Sequence, residues 1–169
     1  MKSIEILNKI NKNKKEHIFT KTDNMGNTIS VVNKVAESAN EEELQYVTNV
    51  CQIPSSYVKF LSIYNGARLF DYDGIDGLQL LSSKAILHYT QYAKNTFEEE
   101  WDDEIIIFAK IIGEDNYLGF KTLDKDNENY VVLDCCFEVC PKEWRIIETS
   151  FDEFLSKYLL SNGDKFWVA

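Results

Sequence analysis

The residues best suited to nucleophilic or metal chemistry are the cysteines. Cys135, Cys136 and Cys140 fall within six residues, and Cys51 lies far from them. Structural zinc usually takes two pairs of ligands at CxxC-type spacing, which the CCxxxC pattern does not provide. If this segment is a strand, the alternation of side chains places Cys135 in the core. The pattern therefore predicts reduced, structural thiols and no metal site.

The two histidines are poor candidates for a catalytic base. His17 lies beside a lysine-rich stretch and His88 falls in a predicted helix, so a surface or packing role is expected for both. The sequence contains no Gly-rich phosphate loop, GxSxG elbow or HExxH motif. We predict a protein without a catalytic set and without a cofactor.

One acidic turn imitates a calcium-binding loop. Asp124, Asp126 and Glu128 take its first, third and fifth positions, but the sixth is Asn129 in place of Gly and the twelfth is Cys135 in place of Glu. These changes remove the residue for the sharp turn and the bidentate ligand. A solvated hairpin turn is the expected structure.

A second acidic feature is the run from Glu98 to Glu104, in which six of seven residues are carboxylates around Trp101. A charge run is usually a solvated face. The alternative is a binding surface, because Trp and Tyr anchor protein interfaces and carboxylates complement a basic partner such as a nuclease. The acidic loop at 71–76 would add to it. The candidate partner-binding residues are Tyr72, Asp73, Asp76, Glu99, Trp101 and Asp102.

The overall charge narrows the class of partner. The 169 residues include 28 acidic and 18 basic ones, which gives a formal net charge of −10. This balance argues against binding to nucleic acid or to an anionic membrane, since both need clustered Lys and Arg. The longest apolar run, Ile105 to Ala109, is too short to span a membrane, and no signal-peptide core is present. We expect one cytosolic domain over residues 1–169.

Periodicity and capping signals predict the helices that position these residues. Helices are expected from about Ser3 to Asn11, after Asn40 with Glu43 as a capping box, after Ser55 or Ser56, from Lys84 to about Asn95 after Ser82 or Ser83, and after Ser150 with Glu153. The apolar faces of the third and last helices predict a core that contains Tyr57, Phe60, Leu61, Phe151, Phe154 and Leu155.

Strands are predicted at 28–32, 68–72, 75–81, 104–112, 117–122, 130–136 and 145–148, from β-branched and aromatic residues between polar turns. Turn residues fill 20–27. Short links of this kind favour an antiparallel meander.

The order of several segments resembles the SUKH superfamily. They are IPSSYVKFLSIYNG at 53–66, IDGLQLLS at 75–82, EIIIFAKIIGEDNYLGFKT at 104–122 and SFDEFL at 150–155. Ile53 replaces the leucine that usually precedes the proline. The resemblance covers roughly 40–160, and residues 1–39 are left with an N-terminal helix and an uncertain strand.

This resemblance implies an α+β domain with a curved antiparallel sheet flanked by helices. It also implies a non-catalytic immunity protein that binds and neutralises a cognate toxin, frequently a nuclease, in the cytosol of a bacterium. The alternative from the same resemblance is a regulatory or scaffold module in cell-wall or stress signalling. The motif positions are chiefly core and turn residues, so the partner-binding residues named above are inferred from their local chemistry.

Overall fold

The computed structural model describes residues 1–126 and 128–168. Five α-helices occur in this part of the chain: α1 (Lys2–Ile10), α2 (Glu41–Val50), α3 (Ser55–Ile63), α4 (Ser83–Phe97) and α5 (Phe151–Leu160). The eight strands are β1 (Glu16–Thr22), β2 (Thr28–Val35), β3 (Ala67–Tyr72), β4 (Asp76–Leu80), β5 (Ile105–Ile111), β6 (Asn116–Asp124), β7 (Asn129–Cys136) and β8 (Arg145–Glu148). Short 3₁₀ turns lie at Glu98–Glu100 and Pro141–Glu143.

The strands form one open antiparallel sheet in chain order, from β1 to β8. Each strand pairs with the next along the chain, so the predicted meander is confirmed. Register shifts interrupt five of the strand pairs, including β2 with β3 and β7 with β8. Such irregularities bend strands and increase the twist. The α+β class with a curved antiparallel sheet is confirmed.

Helices cover both faces of the sheet. Helices α3 and α5 pack on one face, where the ring of Tyr57 meets those of Phe108, Phe120 and Phe151 at centroid distances of 4.9–5.6 Å. Helix α4 packs on the other face, where Tyr89 contacts Tyr117. The six predicted core residues are all fully buried: Tyr57, Phe60, Leu61, Phe151, Phe154 and Leu155.

Most of the predicted helix caps are confirmed. The capping box of Asn40 and Glu43 is present, and the Ser82 hydroxyl accepts from the amide of Ala85. At α5, the Ser150 hydroxyl accepts from the Glu153 amide, and the reciprocal bond of a capping box is not among the contacts of the described residues.

The predicted cap of α3 is wrong. Pro54 takes the N-cap position, so Ser55 and Ser56 lie inside the helix. The Glu128 carboxylate accepts from the Ser55 amide, and the Ser56 hydroxyl lies 3.0 Å from the Tyr130 hydroxyl. Groups from the β6–β7 hairpin therefore replace the side-chain cap. Asn127, in the predicted turn of that hairpin, lies outside the described residues.

The N-terminal region contains one strand more than the sequence predicts. The turn expected over 20–27 is shorter in the structure and occupies the residues around Asp23–Gly26. Glu16–Thr22 forms β1, which pairs with β2 over its whole length without a register shift. A buried polar network fixes this end of the sheet. Asn33 donates to the side chain of Asn11 at 2.9 Å and accepts from the Phe70 amide at 2.6 Å. That bond holds Phe70 at φ 52°, inside the register shift between β3 and β4.

The β3–β4 and β5–β6 turns pack directly on each other. Gly113, at φ 82°, lies so close to this neighbour that a Cβ would come within 1.9 Å of the Ile75 carbonyl oxygen. The Ile112 amide also donates to the Gly77 carbonyl at 2.9 Å. The two turns therefore form one unit, and no side chain fits at position 113.

Candidate partner-binding surface

Helix α4 delivers aromatic side chains to one end of the sheet. Tyr92 and Phe97 contact Phe137, which follows β7, at centroid distances of 6.0 and 4.9 Å. Tyr92 is 41% exposed, although its ring packs against Phe137. The helix thus presents an aromatic side chain to solvent on a packed support.

The connection between β7 and β8 adds a tryptophan to this cluster. Trp144 is buried, and its indole N–H donates to the Cys136 carbonyl at 2.8 Å. Its ring lies edge-on to Phe97 at 5.2 Å and to Trp101 at 6.2 Å. Trp144 therefore joins the connection, the end of α4 and the acidic run into one structure.

Carboxylates surround these rings. Glu98, Glu99 and Glu100 are exposed, and the Glu100 carboxylate accepts a hydrogen bond from the Cys140 thiol, which raises the pKa of that thiol. This bond brings the acidic run against the β7–β8 connection. We call this region the acidic aromatic surface, defined by Tyr92, Phe97, Trp101, Phe137, Trp144, Glu98, Glu99, Glu100, Glu138 and Glu143.

The six predicted site residues fall in two places. Glu99 and Trp101 belong to the acidic aromatic surface, as an exposed carboxylate and a half-buried ring. Tyr72, Asp73 and Asp76 lie in the β3–β4 hairpin, where Asp73 is exposed and Tyr72 is half-buried. The structure therefore separates the hairpin residues from the acidic run.

Asp102 has a structural contact instead of a free carboxylate. Partial burial opposes its ionised form, but the ion pair with Lys121 at 2.7 Å and the Glu104 amide outweigh this effect and lower the pKa of Asp102. Its charge is already compensated within the fold. Among the acidic-run residues, Glu98 and Glu99 are better placed for a partner.

A groove of about 440 Å³ lies between the two places. Trp144 and Trp167 contribute to its apolar lining, together with Ile111. Lys165 lies at its rim, where it pairs with Glu114 and lies 3.6 Å from Asp76. The groove thus connects the hairpin to the acidic aromatic surface through Lys165 and Trp144.

Arg145 and Asp134 in this groove also form an ion pair. Arg145 lies 3.1 Å from Asp134 and donates to the Trp167 carbonyl at 3.4 Å. Partial burial opposes ionisation of Glu114, but its bond with Lys165 lowers its pKa. Compensated charges around apolar side chains are typical of the rim of a protein interface.

The thiols of Cys51 and Cys135 are unsuited to nucleophilic chemistry. Burial raises the pKa of Cys135 well above its usual range and that of Cys51 to about 11. Thiols with raised pKa values are protonated at neutral pH and react slowly. Cys135 is fully buried, as the strand alternation predicts. No metal-binding cluster of His, Cys, Asp and Glu occurs within residues 1–126 and 128–168.

Sequence reasoning missed several members of the surface and groove. Tyr92 follows Tyr89 by three residues on one helix, so helical spacing was a usable signal. Phe137 and Trp144 lie at the two ends of a connection with no periodic pattern. Their large aromatic side chains were the only available signal. Trp167 packs back on α5 from the C-terminal segment, as the sequence favours, and only its place in the groove needed the tertiary structure.

The class that this architecture defines is an α+β protein with an eight-stranded antiparallel meander between helices. The family model described as SMI1 / KNR4 family (SUKH-1) matches residues 38–157. The chain belongs to this family, which confirms the resemblance to the SUKH superfamily.

One relative of this chain is the uncharacterized protein YobM of Bacillus subtilis strain 168. The two proteins are 31% identical over 125 residues, which is 68% of this chain. The chain spans 61% of the length of that relative. Within the described residues, every helix is too short or too polar to cross a membrane.

Proposed function

We propose that this protein is a cytosolic immunity protein that binds and neutralises a cognate toxin with a basic surface, such as a nuclease. Its family includes immunity proteins. The observation that carries the proposal is the acidic aromatic surface, where Tyr92 and Trp101 stand on a packed aromatic support among exposed carboxylates. Binding itself, without catalysis by this chain, would block the toxin.

The two kinds of side chain have different roles in this mechanism. Exposed carboxylates such as Glu98 and Glu99 raise the association rate with a basic partner, because complementary fields steer diffusional encounter. Half-buried rings such as Trp101 are typical anchors of binding energy, and their loss acts mainly on dissociation. The rigid support of these rings means that little conformational entropy is lost on binding.

The test takes the product of the gene next to this one as the candidate toxin. Cells that express this toxin should grow when the full chain is co-expressed, and the purified chain should inhibit the toxin in a stoichiometric complex. A complex with signalling or cell-wall enzymes, without inhibition, would favour the alternative of a regulatory or scaffold module. Failure to bind the toxin would overturn the proposal.

Paired variants then locate the interface. We expect Glu98→Gln with Glu99→Gln to slow association several-fold in about 50 mM salt, and much less in 500 mM salt, because salt screens exposed charges. The matched control is Glu41→Gln with Glu42→Gln, which removes two exposed charges from the first turn of α2. Equal slowing by both pairs would indicate an effect of net charge and exclude the acidic aromatic surface as the site of contact.

A further inference from the structure

Strand β1 is an open edge of the sheet. The bonds from the Val35 amide to the Lys15 carbonyl and from the Asp23 amide to the Asn27 carbonyl, both 2.8 Å, fix the hydrogen-bonding phase of the β1–β2 ladder. Antiparallel pairs alternate, so the odd residues of β1 bond to β2 and the even ones turn their N–H and C=O groups outward. The outward residues are Glu16, Ile18, Thr20 and Thr22.

Nothing within residues 1–126 and 128–168 pairs with these outward groups. The strand is seven residues long, runs without a register shift and contains no proline. Proteins usually protect edges with short strands, bulges, proline, charged side chains or a covering loop. Of these devices, β1 carries only charged side chains, those of Glu16 and Lys21. Its outward backbone groups are therefore able to take another strand.

The charge around this edge is opposite to that of the rest of the molecule. Residues 1–36 contain seven lysines and three acidic residues, whereas residues 37–169 contain eleven basic and twenty-five acidic ones. Lys15 forms an ion pair with Glu37, and Lys34 forms one with Glu16. Lys9, Lys12 and Lys14 are exposed and form no ion pair with any described residue. We call these five lysines at the start of β1 the basic edge.

The side chains of β1 offer contacts on both faces. Ile18 is 62% exposed on one face. Phe19 lies on the other face, with His17 stacked on it at 5.4 Å and Phe70 edge-on at 5.7 Å. An added strand would therefore find an apolar contact for alternate residues, which is how strand addition gains specificity.

We infer that β1 is a second binding site, which takes an extended acidic segment of a partner protein as a ninth strand. Outward backbone groups supply the hydrogen bonds, and the basic edge selects acidic residues at the end of the segment beside Lys12–Lys15. A second copy of this chain is disfavoured, because paired β1 strands would bring two N-terminal regions of net positive charge together. The site shares no residue with the acidic aromatic surface.

The probe is the acetylated and amidated peptide Thr-Val-Thr-Val-Thr-Glu-Glu-Glu, titrated into the isotope-labelled full chain at low salt. We expect amide shifts centred on β1, and hydrogen exchange of the amides of Ile18, Thr20 and Thr22 slowed at least tenfold at saturation. The same peptide with lysines in place of glutamates should bind at least tenfold more weakly. Equal binding of the two peptides, or shifts confined to other strands, would overturn the inference.

Substitutions in β1 separate strand addition from charge attraction. Thr20→Pro removes an outward N–H that β2 does not use, and should abolish binding, whereas Thr20→Val keeps the N–H and should bind as the native chain does. If the proline variant does not fold, two N-methylated versions of the peptide are tested on the native chain. One is methylated at the odd residues of the peptide and the other at the even residues. Undiminished binding of both versions would exclude strand addition. A dimer of the chain alone with protected outward amides would assign the edge to a second copy and overturn the inference.

Discussion

The two edge strands of the sheet differ in backbone and in charge. Strand β1 is regular, seven residues long and beside the basic edge, whereas β8 is four residues long, shifted in register and followed by a short link to α5. The acidic aromatic surface lies on the β8 side, where the β7–β8 connection carries Trp144. One side thus offers main-chain groups and the other offers side chains.

Under the two proposals, one sheet would bind partners in two ways. A surface of rings and carboxylates recognises the shape and charge of a folded body, while an open edge recognises an extended chain. The two regions are also held by different interactions, since aromatic packing fixes the β8 side and buried amides fix the β1 side.

The largest expected effect tests the aromatic packing. Trp144→Ala should lower the free energy of unfolding by about 3–5 kcal/mol, because it leaves a cavity beside Phe97 and Phe137 and removes the bond to the Cys136 carbonyl. Urea unfolding followed by circular dichroism measures this loss.

The control for Trp144 is Trp101→Ala, since the ring of Trp101 is only partly buried. It should cost clearly less stability and should act mainly on partner binding. If both variants lose the same stability, the ring of Trp101 belongs to the core, and the acidic aromatic surface does not present it to a partner.

The next effect tests the buried amides on the β1 side. Asn33→Ala removes the acceptor for the Phe70 amide and the donor to Asn11, and leaves buried polar groups unpaired. We expect a loss of about 2–3 kcal/mol in the same urea experiment.

Asn8→Ala is the matched control, because the side-chain oxygen Oδ1 of Asn8 accepts from the Tyr64 hydroxyl where water has access. Its cost should stay below about 1 kcal/mol.

The losses of Asn33→Ala and Trp144→Ala should add in the double variant, since distant sites act independently. A strong departure from additivity would contradict the division of the sheet into two regions.

The smallest effect concerns Asp152, which joins α5 to the start of α1. Its carboxylate accepts from the amides of Lys2 and Ser3 at 3.2 and 3.0 Å, and Met1 gives α1 no side-chain cap. Partial burial opposes ionisation, but the bonds from Ser3 and Lys2 outweigh it and lower the pKa of Asp152 from 3.8. Asp152→Asn should cost about 1 kcal/mol at pH 7, as the loss of a helix cap does.

The pH dependence follows from the direction of that shift. A carboxyl group with a lowered pKa in the folded state stabilises the fold above pH 3.8, and this contribution is lost as the pH falls through the folded pKa. The native chain should therefore lose more stability than Asp152→Asn as the pH falls below 3.8. Identical acid dependence of the two proteins would show that Asp152 does not cap α1. Glu153→Gln, next to it and exposed, is the control.

The sequence predicts those parts of the fold that depend on interactions within a single helix or turn. The capping box at Asn40 and the apolar stripe of α5 act within a single helix, so the sequence alone indicates them. The cap of α3 was wrong because its partners, Glu128 and Tyr130, come from a hairpin more than 70 residues away. Strand β1 was missed because one of its faces is exposed and the other is only half-buried, so its sequence shows little apolar alternation.

The candidate site was predicted only where composition marks it. The acidic run with Trp101 stands out as a block of charge, so it was found without a structure. Its supporting ring, Trp144, and the Lys165 contacts to Glu114 and Asp76 depend on long-range packing that no local pattern reveals. Asp102 looked identical to its neighbours in the sequence, and only the ion pair with Lys121 distinguishes it.

The contact of Gly113 with Ile75 sets a limit on how relatives of this protein diverge. Because position 113 admits no side chain, the lengths of the two turns must change together, and an insertion in one would separate both hairpins. Glu98 and Glu99 carry no comparable constraint, since they are exposed and bear no ion pair with the described residues. Under the proposed function, substitutions at these exposed positions would change the choice of partner without disturbing the turn unit.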